Sequence, residues 1–399
     1  MKQTSRWTVL VLIFLLMIAF GLVFQSVPPI LTMMITSLGL THAQAGALMS
    51  LFALPGIFVS LPGGILATAY GAKKVTVASL VVVLAGTVMV GVSTGFPLLV
   101  TGRFIAGIGA ITIAVAAPQT LSLWFADKEL GIAFSVYNLA MPIATILAFN
   151  TFGTLAKGAG WPLPFWLTAA YCLIILILFV WKYPSRSDAE PANQKPDMRG
   201  SLAVLTKAGW PVWLISLVWM VYNTSSISFM TFAGDYFISK GYSVALAGFL
   251  TSLFMVASIV LAPVIGLIID RKGKHLPFIV FGCTALAAMI FLVTRSRMNP
   301  VLLVLLIGIS SVFIPTPLLS LLPRYLPAGF AGLGYGLSSA LANLGVLAGP
   351  YLFGLLYDRS HSHDSGFDLL AAVSLLGAFL TLMIPLVLKK KKGAGSSPD

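Results

Sequence analysis

The chain has 399 residues, of which 58% are hydrophobic and only 9% charged, with a mean hydropathy of +1.00 and a formal net charge of +13. Soluble domains carry about 25% charged residues, so a surface this poor in charge excludes a cytosolic enzyme, a disordered chain and a secreted disulfide scaffold. What fits is an all-α polytopic membrane protein, because about 20 consecutive apolar residues span a bilayer as a helix.

Twelve such runs follow one another. The first six are Trp7–Met34, Gln44–Tyr70, Val75–Ser93, Leu98–Phe125, Leu130–Leu155 and Leu163–Trp181. The first is too long for a secretory h-region and is kept as a membrane helix. A polar stretch with Pro184, Pro191 and Pro196 then reads as a linker. The last six runs are Val212–Phe237, Ala245–Ile269, Leu276–Thr294, Val301–Leu322, Leu333–Tyr357 and Leu369–Leu388. The implied organisation is a six-helix bundle over 1–181, a linker over 182–209, a second six-helix bundle over 210–390 and a tail over 391–399.

The basic residues sit at the ends of these runs, so the positive charge reads as membrane topology and not as affinity for nucleic acid. One set of ends holds Lys2, Arg6, Lys73, Lys74, Arg271, Lys272, Lys274, Arg324 and Lys389–Lys392, and the opposite ends hold few. Lys and Arg are retained on the cytoplasmic side, which places both termini and the linker there and makes the lipid bilayer the expected partner. Cys172 and Cys283 lie within apolar runs and read as small core residues. His42, His275, His361 and His363 fall outside the runs, which argues against a histidine relay, a metal site or any cofactor. "HSHD" (His361–Asp364) reads as a solvated loop.

Self-comparison shows an internal repeat. A shift of 202 residues lays Ser37–Lys73 on Ser239–His275 without a gap, matching "AGALMSLF" to "AGFLTSLF" and Gly39, Gly64 and Gly71 to Gly241, Gly266 and Gly273. Two similar bundles in the same orientation imply a pseudo-two-fold axis along the membrane normal and a cavity between the halves.

Several short motifs sharpen this picture. Between helices 8 and 9 lie Gly266, Asp270, Arg271, Gly273 and Lys274. The corresponding loop of the first half keeps Gly64, Gly71, Lys73 and Lys74 but has Thr68 and Ala69 in place of the acid and the base. Helix 4 carries Arg103-x-x-x-Gly107-x-Gly109, and helix 11 carries Gly345-x-x-x-Gly349-Pro350-x-x-x-Gly354. In these residues the chain resembles the major facilitator superfamily over essentially its whole length, with helices 4 and 5 closest in flavour to the nitrate/nitrite, cyanate and organic-anion branches. The resemblance implies the major facilitator fold, transport of a small-molecule solute by alternating access, and a cavity lined by helices 1, 4, 7 and 10. It also implies a gating loop at Gly266, Asp270, Arg271 and Gly273, in which Asp270 would meet the positive end of helix 11 near Gly332–Gly336. The helix 11 pattern is similar to a Gly/Pro pattern that exporters of the family place in helix 5, where this chain has Pro142. The nitrate carriers' paired binding arginines on helices 2 and 8 have no counterpart.

No acidic residue lies near the middle of a run, so a carrier that holds its proton on a central carboxylate is disfavoured. Arg103 is the single ionisable group placed inside a span, roughly 8 Å from its end at 1.5 Å per residue. It fits two readings, an anion-attracting group on the substrate path or a tie between helix 4 and backbone carbonyls of helix 1. The other candidate substrate-binding residues are Gln25 beside Pro28 and Pro29 on helix 1, Tyr137 and Asn138 on helix 5, Trp219, Tyr222, Asn223 and Ser226 on helix 7, and Asn343 on helix 11. Pro142, Gly349 and Pro350 are candidate pivots. Each lone Asn, Ser or Tyr also fits an interhelical hydrogen bond worth about 1 kcal/mol.

The reading is a monomeric secondary or facilitative transporter of a small organic or inorganic anion or weak acid, in a plasma or bacterial inner membrane. Efflux of amphipathic drugs is the alternative within transport. A non-transporting receptor or scaffold on the same fold is the alternative outside it. An enzyme is not expected, since no nucleophile–base pair or metal-ligand set lies in the spans.

Overall fold

The computed structural model describes residues 6–125, 129–183, 209–326 and 331–394. Among them the ordered elements are all helical, and twelve are long and apolar enough to cross a membrane. They run Arg6–Leu38, His42–Tyr70, Ala72–Gly91, Phe96–Trp124, Leu130–Ala159 and Leu163–Lys182, then Trp210–Ser239, Val244–Lys272, His275–Leu292, Pro300–Leu321, Ala331–Ser360 and His363–Ala394. Below they are the first to twelfth helices. Within the first of the two compact units described below, the proximal face is the one holding the start of the first helix, and the distal face lies opposite.

Two spans are broken by proline. The first stops at Phe24, passes through a 3-10 turn at Pro28–Ile30 and resumes over Leu31–Leu38. The tenth stops at Val312 and resumes at Pro315. Proline lacks the N–H that would continue the backbone ladder and collides with the preceding turn. Pro142, Pro263 and Pro350 are instead carried inside continuous helices.

The repeat is visible in how its helices start and stop. Gly39, Gly71, Gly241 and Gly273 adopt φ of +62°, +82°, +88° and +63°, the left-handed region that a side chain disfavours. This explains why glycine recurs at these positions in both halves. Thr41 opens the second helix by accepting from Gln44 N at 3.1 Å, while Gln44 Oε1 accepts from Thr41 N at 3.0 Å, a reciprocal cap. Its repeat partner Ser243 opens the eighth helix and accepts from Leu246 N at 3.3 Å.

The chain forms two compact units, one of Met1–Asn193 with Met230–Met255 and the other of Gln194–Phe229 with Val256–Asp399. The division crosses the seventh helix after Phe229 and the eighth after Met255, so it does not fall at the linker alone.

In the first unit the fourth helix is the hub. A Cβ on Gly102 would strike the Gly86 carbonyl of the third helix, and one on Gly109 the Ser79 carbonyl. On another face a Cβ on Gly107 would strike the Phe52 carbonyl of the second helix. Small residues let backbones touch where lipid offers no hydrophobic drive for helix association. Near the distal face the start of the eighth helix crosses the fifth as closely, with Gly248 against the Phe149 carbonyl and Gly153 against Val244. Near the proximal face Arg6 pairs with Glu129 at 2.7 Å, and Lys73 Nζ donates to the Tyr183 carbonyl at 2.7 Å. Lys73, left over from the eroded first loop motif, thus fastens the end of the sixth helix.

In the second unit the eleventh helix packs on the seventh through Gly345 at the Met220 carbonyl and Gly349 at Thr224 and Ser228. Ser216 bonds Ser338 at 2.8 Å, and Ser225 donates to the Leu370 carbonyl at 3.2 Å while accepting from Ser374 at 3.0 Å. Three histidines expected in loops open helices instead, namely His42, His275 and His363. His363 is also buried, 4.6 Å from the Tyr357 ring centroid and flanked by Phe353 and Phe367. One residue of the "HSHD" tract is therefore packed into the bundle, where aromatic rings shelter the imidazole.

Candidate functional site: polar groups on the first, fourth and seventh helices

Pro28 cannot donate to the carbonyl four residues before it, which is that of Phe24. The break leaves the end of the first helical segment with unmet carbonyls and a partial negative charge. Arg103 fills that place. Its Nη1 donates to Val23 O at 2.7 Å and Ser26 Oγ at 3.3 Å, its Nη2 to Phe24 O at 3.3 Å, and its Nε to Leu48 O of the second helix at 3.0 Å. Nη2 also reaches Met49 Sδ at 3.6 Å, and the guanidinium lies 4.3 Å from the centre of the Phe52 ring. A guanidinium has five N–H donors, and each has a direction and an acceptor here. Arg103 is 1% exposed. Its observed role is the tie to helix 1 carbonyls, which departs from the substrate-binding expectation because no donor is left for a solute.

Gln25 faces the fifth helix. It is 1% exposed, and its Nε2 points to Thr145 Oγ1 of the fifth helix at 3.4 Å. Tyr137 is half-buried with its ring edge-on to Phe134, while Asn138, one residue on, is exposed.

The seventh helix keeps its expected polar island, and the structure sorts it. Ser216 and Ser225 are spent as ties to neighbouring helices. Trp219 and Tyr222 are half-buried and stacked, with ring centroids 5.3 Å apart at 17°. Asn223 is half-buried and donates one N–H to the Trp219 carbonyl at 2.8 Å, which leaves its carbonyl oxygen and second N–H for another partner. The Tyr222 hydroxyl faces the hydroxyls of Ser226 and of Ser311 on the tenth helix. Ser311 spends its own proton on the Gly308 carbonyl at 2.7 Å. The Ser226 hydroxyl is buried and has no partner at full hydrogen-bond geometry. An unsatisfied buried hydroxyl costs about 1–3 kcal/mol, and a bound solute would recover that. Asn343 is half-buried and bonded back to the Ser339 carbonyl at 2.9 Å.

Of the gating residues, Gly273 ends the eighth helix with its N–H on the Ile269 carbonyl at 2.8 Å, Arg271 is exposed, and a Cβ on Gly266 would meet Thr316 only at ordinary contact distance. The side chain of Asp270 and the turn 327–330 before the eleventh helix lie outside the described residues, and with them the expected contact between the two.

Sequence reading places Ser311 among the polar residues of the tenth helix, with Ser310, Pro315 and Thr316, and misses Thr145 and a cluster of Thr32, His42 and Asp235. Asp235 is the only acidic residue buried among the described residues. Its place one turn from the end of a helix gave no sign of burial, and the side chains that cover it come from helices far away in sequence.

The comparisons agree with this architecture. The family model described as Major Facilitator Superfamily matches residues 13–350 and 237–398. The lysosomal dipeptide transporter MFSD1 of Danio rerio is 23% identical over 371 residues, covering 88% of this chain and 80% of that protein. The probable sulfoacetate transporter SauU of Cupriavidus necator is 24% identical over 370 residues, covering 87% and 86%. An uncharacterized transporter of Bacillus subtilis, YycB, is 26% identical over 393 residues, covering 94% and 93%. Among solved structures, the nucleoside transporter NupG superposes with a TM-score of 0.80 at 14% identity, over 95% of this chain and 99% of that one. The chain belongs to the Major Facilitator Superfamily, and it is a multi-pass membrane transporter of that type.

Proposed function

We propose that the protein carries a small organic or inorganic anion or weak acid by alternating access, acting as a single chain with its proximal face in the cytoplasm of a plasma or bacterial inner membrane. The observation that carries the solute reading is the neutral patch on the seventh helix. Trp219 and Tyr222 offer an apolar wall, and the open N–H of Asn223 and the unpartnered hydroxyl of Ser226 offer hydrogen bonds without charge. Such groups can donate to the acceptor oxygens of a solute. Dipeptides and sulfoacetate, the solutes named for two of the relatives, share a carboxylate, which is the chemistry this patch suits. With Arg103 committed to backbone, recognition of the anion rests on neutral donors, so affinity should be modest and selectivity broad.

The Gly345–Pro350 pattern that supported drug efflux is accounted for by the close crossing of the seventh and eleventh helices, which removes the main argument for that alternative. A thermal-shift series on the purified protein tests the proposal. Sulfoacetate, a simple dipeptide, nitrate and a short-chain carboxylate are compared with amines and sugars, with stabilisation following mass action. Stabilisation by carboxylates that is lost in Asn223→Ala supports it. Stabilisation by amines or sugars alone overturns it.

A further inference from the structure

Near the distal face three helices of the first unit meet at one carboxylate. Asp235, on the last turns of the seventh helix, is 6% exposed and accepts from Thr32 Oγ1 of the first helix at 2.7 Å on one oxygen. On the other oxygen it meets His42 Nε2, the first residue of the second helix, at 3.2 Å. Phe232, one turn before Asp235, stacks on the His42 ring with centroids 6.4 Å apart at 25°. Tyr236 packs on Phe237 and lies 5.4 Å under Lys240 Nζ, so that ammonium sits at the rim over a ring and not against the carboxylate.

We propose that Thr32, His42 and Asp235 form a latch that holds the distal end of the seventh helix against the first and second helices, and that its release opens the distal side of the transporter. The inference rests on the alternating-access reading above and adds the residues that carry one of its states. A buried carboxylate is costly unless its oxygens are bonded. When the seventh helix leaves, Asp235 must exchange Thr32 and His42 for water, so these contacts can exist only while this side is closed. Two donors from two different helices make the closure depend on both.

The latch is not duplicated by the repeat. The shift of 202 residues puts Val244 at the position of His42 and Gly234 at that of Thr32. There the eighth helix meets the fifth instead in a close crossing, Val244 against Gly153 and Gly248 against the Phe149 carbonyl, with Asn150 Nδ2 donating to Ser252 Oγ at 3.1 Å. The distal side is therefore held by one clasp on a buried carboxylate and one close crossing with a neutral hydrogen bond.

The test uses the full-length protein in proteoliposomes with Cys172 and Cys283 replaced by Ala and a single cysteine at Met34, which is buried on the distal part of the first helix. A membrane-impermeant maleimide applied from the distal side reads how often that side opens. Asp235→Asn and, separately, His42→Gln should each raise the labelling rate by about tenfold, the shift expected from losing one hydrogen bond to a charged group. The exchanged pair His42→Asp with Asp235→His should bring the rate back toward the parent value. Unchanged labelling in both single variants overturns the latch. A control, Gly248→Leu, loosens the crossing of the fifth and eighth helices alone. If it raises labelling while the latch variants do not, the latch falls but alternating access stands. If no variant alters labelling at all, both readings fall together.

Discussion

Arg103 donates to the carbonyl of Phe24, the residue four positions before Pro28, and so replaces the N–H that proline cannot supply. The same side chain reaches Val23, Ser26 and Leu48. A break in the first helix and an arginine in the fourth are therefore one feature, written in two places eighty residues apart.

Replacing Arg103 by Ala should leave several buried carbonyls without donors and a cavity between three helices. The expected loss is about 3–5 kcal/mol, the range for removing one partner of a buried charged contact, seen as a large fall in the detergent melting temperature. Arg103→Lys keeps the charge but not the planar fork and should fall between parent and Ala. A small effect for Ala would show that the tie contributes little.

Pro28→Ala should give the Phe24 carbonyl a backbone donor and so make Arg103 partly redundant. The cost of Arg103→Lys should then be smaller in the Pro28→Ala background, with a coupling of about 0.5–2 kcal/mol for residues in direct contact. A double-mutant cycle on melting temperatures, converted with the measured enthalpy, reads it. Additive costs would show that the two residues act independently.

Gly107→Val should be more damaging than its size suggests, because its Cβ would collide with the Phe52 carbonyl and not with a movable side chain. Overpacking costs about 1–3 kcal/mol or more, and here it would also push the second helix off Arg103. The comparison is Gly158→Val, at a glycine whose Cβ would meet open space. Yield of folded protein by size-exclusion profile should drop for the first and hold for the second.

Arg295, just past the ninth helix, makes two hydrogen bonds to Asp368 of the twelfth, at 2.7 and 2.8 Å, at an exposed place. The pair is well formed yet solvated, and exposed ion pairs contribute about 0–1 kcal/mol. Asp368→Asn should therefore leave both the melting temperature and solute flux close to the parent. A marked loss of flux would mean that the pair takes part in the transport cycle.

Much of this was legible from the order of residues, and the exceptions share a cause. The spans were readable because a bilayer demands long apolar runs, and the repeat was readable because Gly39, Gly71, Gly241 and Gly273 must turn the chain at positive φ. Pro28 and Pro29 announced a broken helix, and the breaking of the tenth span at Phe313–Ile314 followed the same rule at Pro315. Roles that depend on which helices meet were not readable. Arg103 as binder or tie was undecidable until its acceptors, supplied by residues 23 to 48, were in view. Asp235 looked like an ordinary acid near a helix end, and His42 like a loop residue, because their partners lie about two hundred residues away in sequence. On the seventh helix the polar island was visible as a cluster, but Ser216 and Ser225 differ from Asn223 and Ser226 only in what packs against them.

Counterflow most directly tests whether the seventh-helix patch serves a carboxylate-bearing solute. Proteoliposomes loaded with unlabelled sulfoacetate or dipeptide are diluted into a trace of the labelled solute. The account predicts a transient, saturable accumulation that is strongly reduced in Asn223→Ala and in Tyr222→Phe, while Asp368→Asn behaves as the parent. Counterflow with an amine or a sugar and none with any carboxylate, or carboxylate counterflow indifferent to both substitutions, would contradict it.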